Sequence, residues 1–255
     1  MDTQYFNKYD RKGAYHWDDY FGGLVRMNAY TRARYDIVVQ CVREMHVGPS
    51  SRVAEIGCGD GALSGVLRSR LGVRVAGVDT SEKGIALALQ MFASRGLSGE
   101  FRVVNGYDTG FGDASIDIAV CSDVIEHVDD PSAMLHEIMR ILVPGGRLVI
   151  TTPIRISERP IDPMHVQEWF VPGFVALCGE VFGDPVKVIQ SHPVLWYELV
   201  SSNNRWIGRG GRLLTNILAM MGRNPFMECK GAWRCYTTQT LVLEKPADLK
   251  ARLRQ

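Results

Sequence analysis

The sequence predicts an open α/β fold, a mostly parallel sheet with helices on both faces. Short, β-branched apolar runs alternate with segments whose apolar residues recur at helical spacing, the pattern of βαβ units. The first such run ends in a glycine-rich turn, Gly57-Cys58-Gly59-Asp60-Gly61, which opens a helix. The length of 255 residues suits one such domain with appended segments.

Seven strands are expected, and each has a local reason. Residues 52–56 form a buried run before the turn, and a helix follows over 62–71. Residues 73–78 give a second strand that ends at Asp79. Ser81 then supplies an N-cap hydroxyl for a helix over 83–95. Strands follow at 101–104 and 116–121, and Pro131 suits the first turn of a helix reaching Leu142. Pro144-Gly145-Gly146 reads as a turn feeding a fifth strand at 148–152. Beyond it come a loop over 154–170, a helix over 173–181, a strand over 186–190 and a last strand over 237–244. A helix is expected over 29–46. The implied organisation is a single domain over 1–255. Residues 1–50 form a helical cap, 51–191 and 235–246 the core, and 192–234 a lid inserted before the last strand.

A net charge of +1 gives no global attraction to nucleic acid, so no nucleic-acid partner is expected. No apolar run is long enough to span a bilayer and the N-terminus carries no signal-peptide pattern, so a cytoplasmic protein is expected. The six cysteines form no CxxC pair and read as free, buried thiols.

The glycine turn lets a ligand approach the main chain, and Asp79, about twenty residues on, can accept from both hydroxyls of a ribose. A dinucleotide with its diphosphate on the helix start is one candidate, because Gly57, Gly59 and Ala62 fit G-x-G-x-x-A. Yet Glu55 precedes the turn and Asp60 lies inside it. Two acids suit a nucleoside bearing a sulfonium and an ammonium better than two phosphates.

Four stretches in order resemble the class I S-adenosylmethionine-dependent methyltransferases, in particular their small-molecule branch of ubiquinone-type O-methyltransferases and sugar methyltransferases. They are AEIGCGDG at 54–61, AGVDTSE at 76–82, SIDIAVCSDVIEHV at 115–128 and RILVPGGRLVITTP at 140–153. The resemblance, over roughly residues 50–175, implies a Rossmann-like fold and S-adenosylmethionine as cofactor. It implies that Gly57 and Gly59 lie against the methionine part with Cys58 between them, that Glu55 anchors nearby and that Asp79 holds the ribose. Thr80 would border the adenine. Asn105 stands where the family usually has Asp; with Gly106 it would contact the adenine. Cys121 and Ser122 would lie beneath the sulfonium.

An alcohol acceptor must lose a proton, and a histidine titrating near neutrality suits that step. His127, just beyond the fourth strand, and His165, in the loop after the fifth, are the candidate bases; His16 reads as packing of the N-terminal arm. Glu126, His127 and His165 show no convincing metal-ligand spacing, so no metal is expected. The insertion carries Arg205, Arg209, Arg212, Arg223, Lys230 and Arg234 against Glu198 and Glu228. That excess of cations suggests a small-molecule acceptor bearing phosphate or carboxylate. Residues 213–221, flanked by Arg212 and Arg223, read either as a solvated helical cap or as a face resting on a membrane or greasy substrate, without stable insertion.

Overall fold

A computed structural model describes residues 8–104, 107–156, 162, 164–229 and 235–247. Its strands are β1 (Arg52–Ile56), β2 (Arg74–Asp79), β3 (Glu100–Val103), β4 (Ile116–Ser122), β5 (Leu142–Pro153), β6 (Lys187–Pro193) and β7 (Tyr236–Glu244). They form one sheet in the order β3-β2-β1-β4-β5-β7-β6. The first five pair in parallel, and β7 lies antiparallel between β5 and β6. This is the mostly parallel, seven-stranded sheet the sequence predicts.

Strand pleating divides the core in two. Val53, Val75, Ile118, Val120 and Val149 face one way, against α3 (Ala29–Arg43), α4 (Ala62–Leu71) and α5 (Glu82–Ser94). Their neighbours Ala54, Ile56, Ala119, Cys121, Leu148 and Ile150 face the other way, against α6 (Pro131–Ile141) and α7 (Val171–Phe182). The helices begin where their caps dictate. Ser81 accepts from the Gly84 N–H at the start of α5, and Asp130 from the Ala133 N–H at the start of α6, where Pro131 fills a first-turn position.

Three expectations change. Pro144-Gly145-Gly146 is no separate turn: it lies inside β5, which shifts register against β4 there. Its strand pairing holds because the Gly145 N–H donates to the Lys245 carbonyl and the Lys245 N–H to that of Gly146. The N-terminal region holds two helices that the sequence did not announce, α1 (Lys8–Lys12) and α2 (Tyr15–Phe21), before α3. Of the cysteines, Cys41, Cys58, Cys121 and Cys178 are buried but Cys229 and Cys235 are exposed, on the approach to β7.

The insertion folds into α8 (Val194–Ser201) and α9 (Arg205–Met220), followed by a 3₁₀ turn at Pro225–Met227. Asn216 of α9 ties it to the N-terminal region. Its carboxamide donates to the Leu24 and Met27 carbonyls and accepts from the Ala29 N–H. No helix among the described residues is long and apolar enough to cross a membrane.

Trp17 anchors α2 on the core. Its indole N–H donates to the Asp60 carbonyl at 2.7 Å, and its ring occupies the space a side chain at Gly65 would need. Trp17→Ala is expected to lower the unfolding free energy by about 3–5 kcal/mol in urea titration, and a loss under about 1 kcal/mol would show that α2 is not docked there.

Candidate functional site

The site is assembled at the carboxyl edge of β1, β2 and β4, where open α/β sheets hold their ligands. Glycine is required in the turn after β1: Gly57, Gly59 and Gly61 all adopt positive φ, at 74°, 52° and 73°. The turn is fastened to β2. The N–H groups of Gly57 and Cys58 donate to the Val78 carbonyl, and that of Gly59 donates to Asp79 Oδ2 at 2.7 Å. Asp79 Oδ1 accepts from the Ser81 N–H at 2.8 Å. Burial raises the Asp79 pKa, opposed by those two donors.

Glu55 shares Val53's face of the pleat, the face that α4 covers, so its carboxylate is delivered to the start of that helix. Oε2 accepts from the Ser64 N–H at 2.8 Å and from the Ser64 hydroxyl. An N–H of the first turn of α4, where an anion would otherwise sit, is therefore taken by the protein's own carboxylate. Burial raises the Glu55 pKa to about 8, against the lowering effect of Ser64.

Asp60 serves the N-terminal region rather than a ligand. Its side chain, 1% exposed, accepts from the His16 N–H and pairs with His16 Nδ1 at 3.2 Å. Tyr9 of α1 stands over the same turn, its hydroxyl where a side chain at Gly59 would begin, and Val124 occupies the corresponding space at Gly57. Thr80 is exposed in the bend after β2. Cys58 is buried behind the turn against Gly77. Cys121 belongs to the opposite face, with Sγ 4.0 Å from Met134 Sδ, so its side chain is turned into the core and only its main chain remains for the edge. Ser122 is half-buried, and its hydroxyl lies 3.0 Å from that of Thr151. Asn105 and Gly106 lie outside the described residues.

Both candidate histidines come together. His127 ends a 3₁₀ turn, Ile125–His127, three residues after Val124, and its Nδ1 is 3.0 Å from the Met164 carbonyl. The 165–167 loop is stitched to that turn by the Val166 and Gln167 N–H groups, which donate to the Glu126 carbonyl. The two imidazole rings stand 4.8 Å apart, edge to face. His165 Nδ1 bonds to Glu168 Oε1 at 2.6 Å. Partial burial and the neighbouring His165 lower the His127 pKa.

Glu126 is wholly buried. Oε2 accepts from the Thr152 hydroxyl, Oε1 has no hydrogen-bond partner, and burial together with Asp123 lifts its pKa far above the carboxylate range. Ligating atoms of Glu126, His127 and His165 all lie within 4.8 Å of one another, a juxtaposition capable of holding a cation that spacing in sequence did not suggest.

The residues match a domain family described as "Methyltransferase domain" over 54–150. A ubiquinone biosynthesis O-methyltransferase of Schizosaccharomyces pombe is 32% identical over 139 residues, 53% of this chain and 50% of that protein. Its counterpart from Caulobacter sp. (strain K31) is 34% identical over 127 residues, 48% and 50% of the two chains. Among solved structures, Haemonchus contortus phosphoethanolamine N-methyltransferase 2 in complex with S-adenosyl-L-methionine superposes with a TM-score of 0.65 at 16% identity, over 96% of this chain and 60% of that one.

The chain carries a methyltransferase domain over residues 54–150.

It spans about half the length of the curated relatives it matches.

The sequence left several edge residues unassigned. Arg34 of α3 pairs with Asp123, which holds φ at 52° and also accepts from the Thr151 hydroxyl at 2.6 Å. Tyr30, one helical turn before Arg34, sets its hydroxyl 3.0 Å from that of Thr238. Tyr30 and Arg34 stand at i, i+4, but a helix that also carries Arg32, Asp36, Gln40 and Arg43 gives them no distinct local signal. A cavity of about 390 Å³ opens beside Tyr30, between the N-terminal region and the insertion, with Tyr197, Arg26, Arg212 and Phe226 in its lining. Tyr197 feels the charge of Asp162 and Glu168, which sets it near the His165 loop.

Because Glu55 ionises near 8 when folded and at an ordinary 4.5 when unfolded, the folded chain keeps a proton that the unfolded chain has lost between those values. The ligand-free protein is therefore expected to lose stability as pH rises through that window, and Glu55→Gln to flatten the loss. Parallel stability–pH curves for the two proteins in urea titrations would contradict the assignment.

Proposed function

We propose that the chain transfers a methyl group from S-adenosylmethionine to a hydroxyl of a small molecule, such as a sugar, a glycan precursor or a secondary metabolite. The observation that carries this reading is the Glu55 carboxylate on the first turn of α4. A diphosphate at that helix start would face a carboxyl group already bonded to the Ser64 N–H and hydroxyl, whereas a cationic ligand gains from it. This disfavours the dinucleotide alternative that the glycine spacing alone permits.

The residues present fit the cofactor. Gly57 and Gly59 take the positive φ that the tight bend needs, and Glu55 and Asp79 place carboxyl groups at either side of the turn that a cation would hold ionised. Asp79 would accept from the ribose, Thr80 and Asn105 with Gly106 would border the adenine, and Cys58, the Cys121 main chain and Ser122 would complete the walls. Bound there, S-adenosylmethionine supplies a methyl group activated on a sulfonium.

The chain's own contribution is alignment and proton removal. We assign His165 as the general base: Glu168, buried beneath it, fixes the ring through Nδ1 and stabilises the imidazolium that forms, leaving Nε2 for the acceptor. His127, kept neutral by its lowered pKa, would orient the same hydroxyl. The acceptor would reach these rings from the cavity beside Tyr30 and Tyr197, where Arg26 and Arg212 would favour a substrate bearing phosphate or carboxylate. The 192–234 segment would then act as the substrate-side cover of the single domain.

Thermal-shift titration is expected to show stabilisation by S-adenosylmethionine and S-adenosylhomocysteine but not by NAD or NADP, and Gly57→Val to abolish it. Stabilisation by the dinucleotides alone would overturn the reading. With an acceptor found by following S-adenosylhomocysteine release, His165→Ala should lower turnover by about 10²-fold at unchanged cofactor affinity. Wild-type turnover in that variant would remove His165 as the base.

A further inference from the structure

Helix α9 is turned inside out relative to an ordinary surface helix. The face it packs against the protein is small and polar, made of Gly208, Gly211, Thr215, Asn216 and Ala219. The opposite face carries Trp206, Leu213, Leu214, Ile217, Met220 and Met221, all exposed, with Trp206 at 79% and Met221 at 69%. A globular helix buries its apolar stripe, so this one leaves its hydrophobic side for something outside the described fold.

Charge identifies that partner. Arg205, Arg209 and Arg212 line one flank of the apolar face and Arg223 follows at its end, while the sequence from 199 to 227 contains no Asp or Glu. Because the whole chain carries only +1, this is a local concentration of cations. At sixteen residues α9 cannot span a bilayer, and no described helix can. Val25, 91% exposed, stands in the loop that Asn216 holds against α9, and it lines the mouth of the cavity together with Arg26 and Arg212.

We propose that α9 is an interfacial helix that docks the protein on an anionic lipid bilayer. Trp206, Leu213, Ile217 and Met220 enter the acyl boundary, and the arginines meet lipid phosphates. A second copy of the chain suits this face less well, because α9 offers its flanking arginines no carboxylate. The docking does not depend on the proposed methyl transfer and is tested without it.

The test is co-sedimentation of the full chain with large vesicles of phosphatidylcholine alone or mixed with phosphatidylglycerol, at low and high salt. The expected result is binding to the anionic vesicles that weakens as salt is raised. Leu213→Glu/Ile217→Glu/Met220→Glu should lower that binding by about tenfold or more, with the melting temperature and the S-adenosylhomocysteine-induced thermal shift unchanged. Arg209→Gln/Arg223→Gln, which leaves the apolar face intact, should weaken binding and flatten its salt dependence. No sedimentation with anionic vesicles at low salt would overturn the proposal. So would a wild-type dimer in light scattering that the triple variant converts to monomer, since the face would then be a contact between copies.

Discussion

One carboxylate organises the functional edge. Glu55 is the only acid in β1, and the pleat that points Val53 toward α4 points Glu55 there too, so it ends against the Ser64 N–H and hydroxyl. Burial in such a place favours the protonated form unless a cation arrives. At the helix start that many nucleotide-binding folds leave open to phosphate, the Ser64 N–H is already taken here. What remains at the edge is a glycine turn bordered by two acids with raised pKa values, an environment suited to a positively charged nucleoside.

Around that edge the protein uses contacts remote in sequence to fix its walls. Asp60 and Trp17 fasten α2 onto the turn, and Tyr9 stands above it. Arg34 reaches from α3 to Asp123 at the end of β4, while Asn216 joins the insertion to the segment before α3. Each wall of the cavity thus hangs from a polar contact between a peripheral helix and the sheet or its neighbour. Mobility in the N-terminal region would be felt at the glycine turn and at the cavity together.

The sheet was legible in the sequence because strand alternation and capping residues are local signals. Arg52–Ile56, Ala62–Leu71 and the Ser81 cap follow from neighbours a few residues apart. Helices α1 and α2, five and seven residues long, were not, because helices so short are held by tertiary packing rather than propensity. Pro144-Gly145-Gly146 misled for a related reason: its unusual backbone is absorbed by β4 and β7, partners that a local pattern cannot reveal. At the site, spacing indicated which acids and glycines gather but not where they point. Asp60 is taken by His16, and Cys121 faces Met134 because it shares the parity of Ala119. The meeting of His127 with His165, and the backing of His165 by Glu168, needed the loop after β5 to fold onto the Glu126 carbonyl.

The most direct measurement is a crystal structure of the protein with S-adenosylhomocysteine. The account predicts the nucleoside in the bend after β1, its ribose hydroxyls on Asp79, and the Ser64 N–H still donating to Glu55. A structure in which the first turn of α4 instead receives an anionic oxygen, with Glu55 displaced from Ser64, would contradict it.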